Sequence, residues 1–204
     1  MKKLGLMLLS IAIVMGCLPG CHKVEMTEAD KERTEYVKDT ILGYGMVIQT
    51  EVTPETLEEN KKNTDDIVSF GKKQIYELSC GNENDEESNT LFYHKFENSK
   101  GGKKEAEKLY SAFKDSINIL PDNNTTEATD TETGNKSYTS RSKTTGSTET
   151  FETTEDDTDV SVVLIYNAEK NEVAVMANYE KLPSDNIDAM TDNVMRDLGW
   201  TYLD

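Results

Sequence analysis

Two cysteines, Cys17 and Cys21, stand four positions apart at the end of an apolar run that covers residues 4–15. A positive start followed by about a dozen apolar residues is typical of a signal peptide, and two lysines precede this run. A membrane-spanning helix needs about 20 apolar residues, and here His22 and Lys23 come too early for one. The chemistry that this stretch could support is therefore processing and modification at a cysteine.

The four residues ending at each cysteine are VMGC at 14–17 and LPGC at 18–21. Both resemble the lipobox of bacterial lipoproteins, in which an apolar residue stands three positions before the cysteine and a small residue directly before it. The resemblance implies a diacylglycerol on the cysteine sulfur and cleavage before that cysteine. Two or three acyl chains would then anchor the protein stably to the extracytoplasmic face of a bacterial cell membrane. An ordinary secretory signal peptide is the alternative.

Cys17 is the predicted lipidation residue, because VMGC follows the apolar run directly. Cys21 stays the alternative, although its lipobox places Pro19 next to the cut and needs a longer apolar approach. With Cys17 as the first mature residue, residues 1–16 are the signal peptide and residues 17–26 are a tether.

The charge of the mature chain limits the kinds of partner that it can bind, and its cysteine content limits the disulfides that it can form. The 204 residues carry a formal charge of −17, and removing Lys2 and Lys3 with the signal peptide changes −17 to −19. Such a balance repels nucleic acid and anionic lipid headgroups, and it favours a basic protein or a cation as partner. Beyond the signal region the only cysteine is Cys80, so we expect no disulfide framework and interpret Cys80 as a packed residue.

Three further segments contain residue types that could do chemistry, and none has a diagnostic spacing. The acidic segment 81–89 lacks the glycine and glutamate positions of a calcium loop. His94 lies between Phe92 and Phe96 on a predicted strand, which is typical of a packed residue. The GGKK segment at 101–104 lacks the spacing of a phosphate-binding loop. We therefore predict no catalytic residue, no metal site and no cofactor.

The first part of the chain, residues 27–80, is predicted to be a helical pair. Thr27 and Asp30 have the spacing of a capping box, and apolar residues follow at helical intervals. A second helix is predicted to start at Thr53 and Pro54 and to end near Cys80.

Residues 81–204 are predicted to form an α+β domain. Its predicted strands are 90–98, an exposed hairpin at 136–155 and a hairpin at 160–180, where two β-branched runs flank a turn. Helices are predicted at 99–120 and 185–198, and a polar, threonine-rich linker at 122–135. The fold class is thus α+β, an antiparallel sheet built as a hairpin meander with helices on one face, preceded by the N-terminal helical pair.

These observations predict a membrane-anchored extracytoplasmic lipoprotein that acts as a binding or scaffolding module. One alternative is an extracytoplasmic hydrolase with a carboxylate-based site, since acidic residues are abundant and could meet in space. Another is a small solute-receptor lipoprotein, for which the chain is short and lacks two α/β lobes.

Overall fold

The computed structural model describes residues 25–56, 71–83, 87–118, 123–145, 157–180 and 185–200. Within these ranges, three helices of more than one turn and seven strands form. The helices are α1 (Glu28–Gly43), α2 (Lys100–Ile117) and α3 (Asp185–Asp197). The strands are β1 (Val47–Val52), β2 (Gln74–Glu83), β3 (Glu87–Phe96), β4 (Asn123–Thr129), β5 (Lys136–Thr145), β6 (Asp157–Asn167) and β7 (Glu172–Glu180). None of the helices in these ranges is long and apolar enough to cross a membrane.

All seven strands belong to one antiparallel sheet in the order β1-β2-β3-β7-β6-β5-β4. The sheet is two meanders laid side by side, β1 to β3 and β4 to β7, which meet where β3 pairs with β7. Helix α2 connects the two meanders and leads the chain from the middle of the sheet to its far edge. The α+β class predicted from the sequence is confirmed.

Helices cover both faces of the sheet, so the prediction of helices on one face is wrong. In β6, Val162 and Leu164 pack with α2, whereas Val163 and Ile165 pack with α1 and α3 on the opposite face. Successive side chains of a strand point to opposite faces, and here both sets are apolar. The near-continuous apolar run 162–166 is the signature of a strand buried on both sides.

The predicted helical pair at 27–80 is only half correct. Helix α1 is confirmed, and its capping box forms because the Thr27 side chain accepts from the Asp30 amide while the Asp30 carboxylate accepts from the Thr27 amide. The chain then forms β1, a helical turn at 54–56 and strand β2. The predicted second helix is therefore wrong at 74–80, and its part at 57–70 lies outside the described residues.

The predicted linker at 122–135 is replaced by strand β4, which pairs with β5 along its whole length. Its low hydrophobicity suited a linker, but β5 supplies the backbone hydrogen bonds that hold it. A strand at 136–145 is confirmed as β5, although its partners are β4 and β6. The predicted partner segment, 149–155, lies outside the described residues.

Four predicted elements are confirmed. The hairpin at 160–180 is the pair β6 and β7, joined by the turn 168–171. The strand at 90–98 is β3, and the helices at 99–120 and 185–198 are α2 and α3. Helix α2 buries Ala106, Leu109, Tyr110, Phe113 and Ile117, the apolar stripe that its sequence spacing predicts.

Candidate functional site

The predicted lipidation residue Cys17 and its alternative Cys21 lie outside the described residues. The signal peptide at 1–16 and most of the tether at 17–26 lie there too. The described chain starts at residue 25, and Thr27 already caps α1. Met26, which packs against the core on the face that α1 and α3 cover, stands nine positions after Cys17.

His94 is a packed residue of the sheet, as predicted. Its side chain is buried on the α2 face, with its ring centroid 5.7 Å from that of Phe113. Its Nδ1 lies 3.2 Å from Nε2 of Gln74 and 3.7 Å from the Glu77 carboxylate. Burial lowers the pKa of His94, and the nearby Glu77 charge opposes that shift only in part. A neutral imidazole whose Nδ1 accepts from the Gln74 amide fits these contacts.

Cys80 is buried in the sheet on the face that α1 and α3 cover, and the prediction of a packed residue is confirmed. Its Sγ lies 3.9 Å from the carbonyl oxygen of Leu91. Burial raises the pKa of the Cys80 thiol to about 12. Because the thiolate is the reactive form, this thiol is inert in the folded protein.

A buried ion pair joins α1 to the start of β7. The guanidinium of Arg33 donates from Nε and Nη2 to the two carboxylate oxygens of Glu172, each at 2.9 Å. Trp200 donates from Nε1 to the same carboxylate at 3.1 Å, and Arg33 also donates to the Leu198 carbonyl. Burial alone would lower the pKa of Arg33, but its contacts with Glu172 outweigh that effect and raise it.

A second buried pair lies beside the first. Lys95 is the register partner of Glu172 across β3 and β7, and its Nζ lies 3.3 Å from the Asp30 carboxylate. Lys95 also donates to the Lys170 carbonyl in the β6–β7 turn. The two pairs bring the first turns of α1 to the end of the sheet where β3 stops and β7 begins. Their arrangement is suited to holding elements together, since both positive groups are already neutralised.

Neither of these pairs could be predicted from the sequence. Arg33 and Glu172 are separated by 139 positions, and neither lies in a motif. The available signal was weak and consisted of Glu172 standing directly before the apolar run of β7.

Helix α2 presents a row of lysines to solvent. Lys100, Lys104 and Lys108 are exposed and follow one another at intervals of four residues, which places them on one line along the helix. Lys103 is exposed beside this row, and Lys72 is exposed in the turn before β2. Lys108 pairs with Glu105 at 2.8 Å. The other four form no ion pair with any residue in the described ranges.

The opposite end of the sheet is acidic. Glu87 of β3 is the register partner of Glu180 of β7, and Glu180 is in turn the partner of Asp159 of β6. Three acidic residues therefore occupy one row across three neighbouring strands. The next position of this row, on β5, is Lys143, the register partner of Asp159.

An aromatic cluster lies between α2 and the outer strands. Lys136 lies with its Nζ 5.9 Å from the ring centre of Tyr110 and 5.7 Å from that of Tyr166. Neither tyrosine hydroxyl has a hydrogen-bond partner among the described residues, although both are buried. The cation and the two ring faces attract each other, which helps to close α2 over β5 and β6.

Comparison with known proteins found no relative of this chain. No family model, no curated protein and no solved structure matches this chain. Within the described ranges, no group of three or more histidine, cysteine, aspartate or glutamate residues could hold a metal ion.

Proposed function

We propose that this protein is a lipid-anchored extracytoplasmic lipoprotein whose domain is a binding or scaffolding module. The observation that carries the proposal is the VMGC motif at 14–17, directly after an apolar run of signal-peptide length. Lipid on Cys17 would hold the domain close to the membrane, because the nine positions from Cys17 to Met26 reach at most about 32 Å when fully extended.

A basic protein is the partner that the charge distribution favours. The row of Glu87, Glu180 and Asp159 lies at one end of the sheet, beside Glu83 at the end of β2. Acidic positions on neighbouring strands favour contact with a positively charged surface. This end would therefore be the binding end of the module.

Metabolic labelling with a fatty acid in the native host tests the anchor. We expect label on the wild-type chain, none on Cys17→Ser and normal label on Cys21→Ser. The reverse pattern would move the mature start by four residues and keep the anchor. A wild-type chain without label would overturn the anchored lipoprotein.

Titration with a lysine-rich peptide tests the acidic end. The variant Glu87→Gln/Asp159→Asn/Glu180→Gln should bind the peptide more weakly than the wild type at low salt. A matched variant that neutralises Glu28, Glu32 and Glu35 on the exposed side of α1 removes the same charge elsewhere. Equal losses in the two variants would mean that only total charge matters, and would contradict a binding end.

A further inference from the structure

We infer that the end of the domain nearest the lipid anchor docks on anionic phospholipid headgroups through the lysines of α2 and of the turn before β2. This docking surface consists of Lys72, Lys100, Lys103 and Lys104. The inference rests on the proposed lipid anchor, and it adds a second contact with the same membrane that fixes which way the domain points.

The chain enters the fold at the same end of the sheet as the docking surface. Asp30, in the first turn of α1, pairs with Lys95 near the end of β3. Only four residues after Lys95, Ser99 caps the start of α2 by accepting from the Gly102 amide at 3.0 Å. The first turns of α1 and α2 are thereby placed at one end of the molecule.

The turn before β2 is joined to this end by three contacts. The backbone amide of Glu97 donates to the Lys73 carbonyl at 2.9 Å, and the Lys73 ammonium lies 2.9 Å from the Glu97 carboxylate. A Cβ on Gly101 would lie 3.7 Å from the Lys73 side chain. Lys72 therefore lies beside the lysines that open α2.

The lysines of the docking surface destabilise the free protein electrostatically. The first turn of α2 contains no acidic residue, so Lys100 faces the positive end of the helix dipole. Lys100 and Lys104 also repel each other at a spacing of four residues. Two of the acidic groups nearby are already engaged, because Glu97 pairs with Lys73 and Asp30 pairs with Lys95. Glu107 stands four positions after Lys103 on the same helix.

The overall acidity of the protein does not prevent this contact. Strand β7 runs from Glu172 at the anchor end to Glu180 at the acidic end, a distance of about 27 Å at 3.3–3.4 Å per residue. Charges interact over a Debye length of only about 8 Å at physiological ionic strength. A headgroup at the anchor end therefore responds to the local lysines, while the acidic end points away from the membrane.

The test uses the mature lipoprotein reconstituted in vesicles of phosphatidylcholine alone or of equal parts phosphatidylcholine and phosphatidylglycerol. A water-soluble amine reagent labels exposed lysines, and mass spectrometry gives the rate at each position. We expect labelling of the docking surface to be about fivefold slower in the anionic vesicles, the factor by which one lysine at an anionic surface shifts a contact equilibrium. At 1 M salt the difference should vanish.

Two variants with the same change in charge make the test specific, and Lys72 is the reporter in both. Lys100→Gln/Lys103→Gln/Lys104→Gln should restore fast labelling of Lys72 in anionic vesicles. The matched variant Lys38→Gln/Lys114→Gln/Lys143→Gln changes α1, the last turn of α2 and β5, and should leave Lys72 protected.

The possible outcomes distinguish a failure of the docking proposal from a failure of the lipid anchor. A lipidated protein with equal labelling in the two kinds of vesicle would overturn the docking surface and leave the anchor intact. Protection that persists at 1 M salt or in neutral vesicles would mean that a second copy of this chain covers the lysines, and would also overturn it. A mature chain without lipid would overturn both proposals.

Discussion

At the scale of single residues, the Arg33–Glu172 pair is the contact whose disruption should destabilise the fold most. The Glu172 side chain is only 1% exposed, and that of Arg33 is 14% exposed. Replacing Glu172 by Gln leaves a buried guanidinium without its countercharge. Removing one partner of a buried pair costs about 3–5 kcal/mol, and we expect about 3 kcal/mol here because Arg33 retains some contact with water. Denaturant unfolding measures this loss.

Two comparisons separate the charge effect from general disruption. Lys38→Met breaks the more exposed Lys38–Glu51 pair and should cost at most about 1 kcal/mol. The double variant Arg33→Met/Glu172→Gln removes both buried charges and should be more stable than Glu172→Gln. If the double variant is the less stable of the two, uncompensated charge is not the cause.

His94 gives a pH dependence whose sign follows from its lowered pKa. Below its ordinary value of 6.5, the unfolded chain binds a proton that the folded chain refuses. The free energy of unfolding should therefore fall as the pH drops from 7 through 6.5 towards 5, with a slope of at most about 1.4 kcal/mol per pH unit. His94→Gln should flatten this slope, whereas His22→Gln should preserve it. An unchanged slope in His94→Gln would assign the dependence to other groups.

The packed state of His94 could be predicted because it sits within an apolar strand pattern, and that of Cys80 because it is a lone cysteine without a partner motif. The buried ion pairs could not. Arg33, Glu172 and Trp200 come from three distant parts of the chain, and only the assembled sheet and helices bring them together. A charge in an amphipathic element is indistinguishable in sequence from a solvated one until its neighbours are known.

At the scale of elements, alternation of inward and outward residues predicted strand β3 correctly, whereas a similar alternation in β2 was interpreted as helical spacing. In β2, Tyr76, Leu78 and Cys80 alternate with Glu77 and Ser79, a strand pattern that also passes for helical spacing over a short segment. In β4 the residues are polar throughout, so no periodicity could reveal a strand. Its existence depends on hydrogen bonds from β5, which is tertiary context overriding local preference.

Two adjacent glycines of α2, Gly101 and Gly102, should respond in opposite ways to substitution by alanine. A Cβ on Gly102 would lie 1.9 Å from the Glu97 carbonyl oxygen, so Gly102→Ala must move the backbone. We expect a loss of about 2 kcal/mol or more. A Cβ on Gly101 would meet only ordinary contacts at 3.7 Å. Gly101→Ala should then gain about 0.5 kcal/mol from helix propensity.

Thermal unfolding of the two variants, side by side, measures this difference. The substitutions are chemically identical and adjacent in one helix, so each controls for the other. Similar losses in both would show that α2 does not pack closely on the residues that precede it.

At the scale of the whole molecule, charge and burial are distributed along perpendicular directions. Along the strands, the exposed lysines that begin α2 lie at the end where the chain enters, and the register row of Glu87, Glu180 and Asp159 lies at the opposite end. Across the sheet, apolar burial is greatest in the middle, where α2 lies on one face and α1 and α3 on the other. The first distribution determines what the surface can contact, and the second determines which strands hold the fold together.

The order of strand stability follows from this burial. Strands β6 and β7 have hydrogen-bonded neighbours on both sides, and their residues 162–167 and 172–178 are all buried. Strand β4 pairs only with β5, and its residues Thr125, Thr126, Glu127 and Thr129 are exposed. Amides that open only on global unfolding exchange slowest, whereas edge amides exchange by local opening. In native-state hydrogen exchange we therefore expect β6 and β7 to be the slowest strands and β4 to be among the fastest.

Protection of β4 equal to that of β7 would contradict an exposed edge and would indicate that another chain pairs with it in solution. Fast exchange in β6 and β7 would contradict the two-sided core itself.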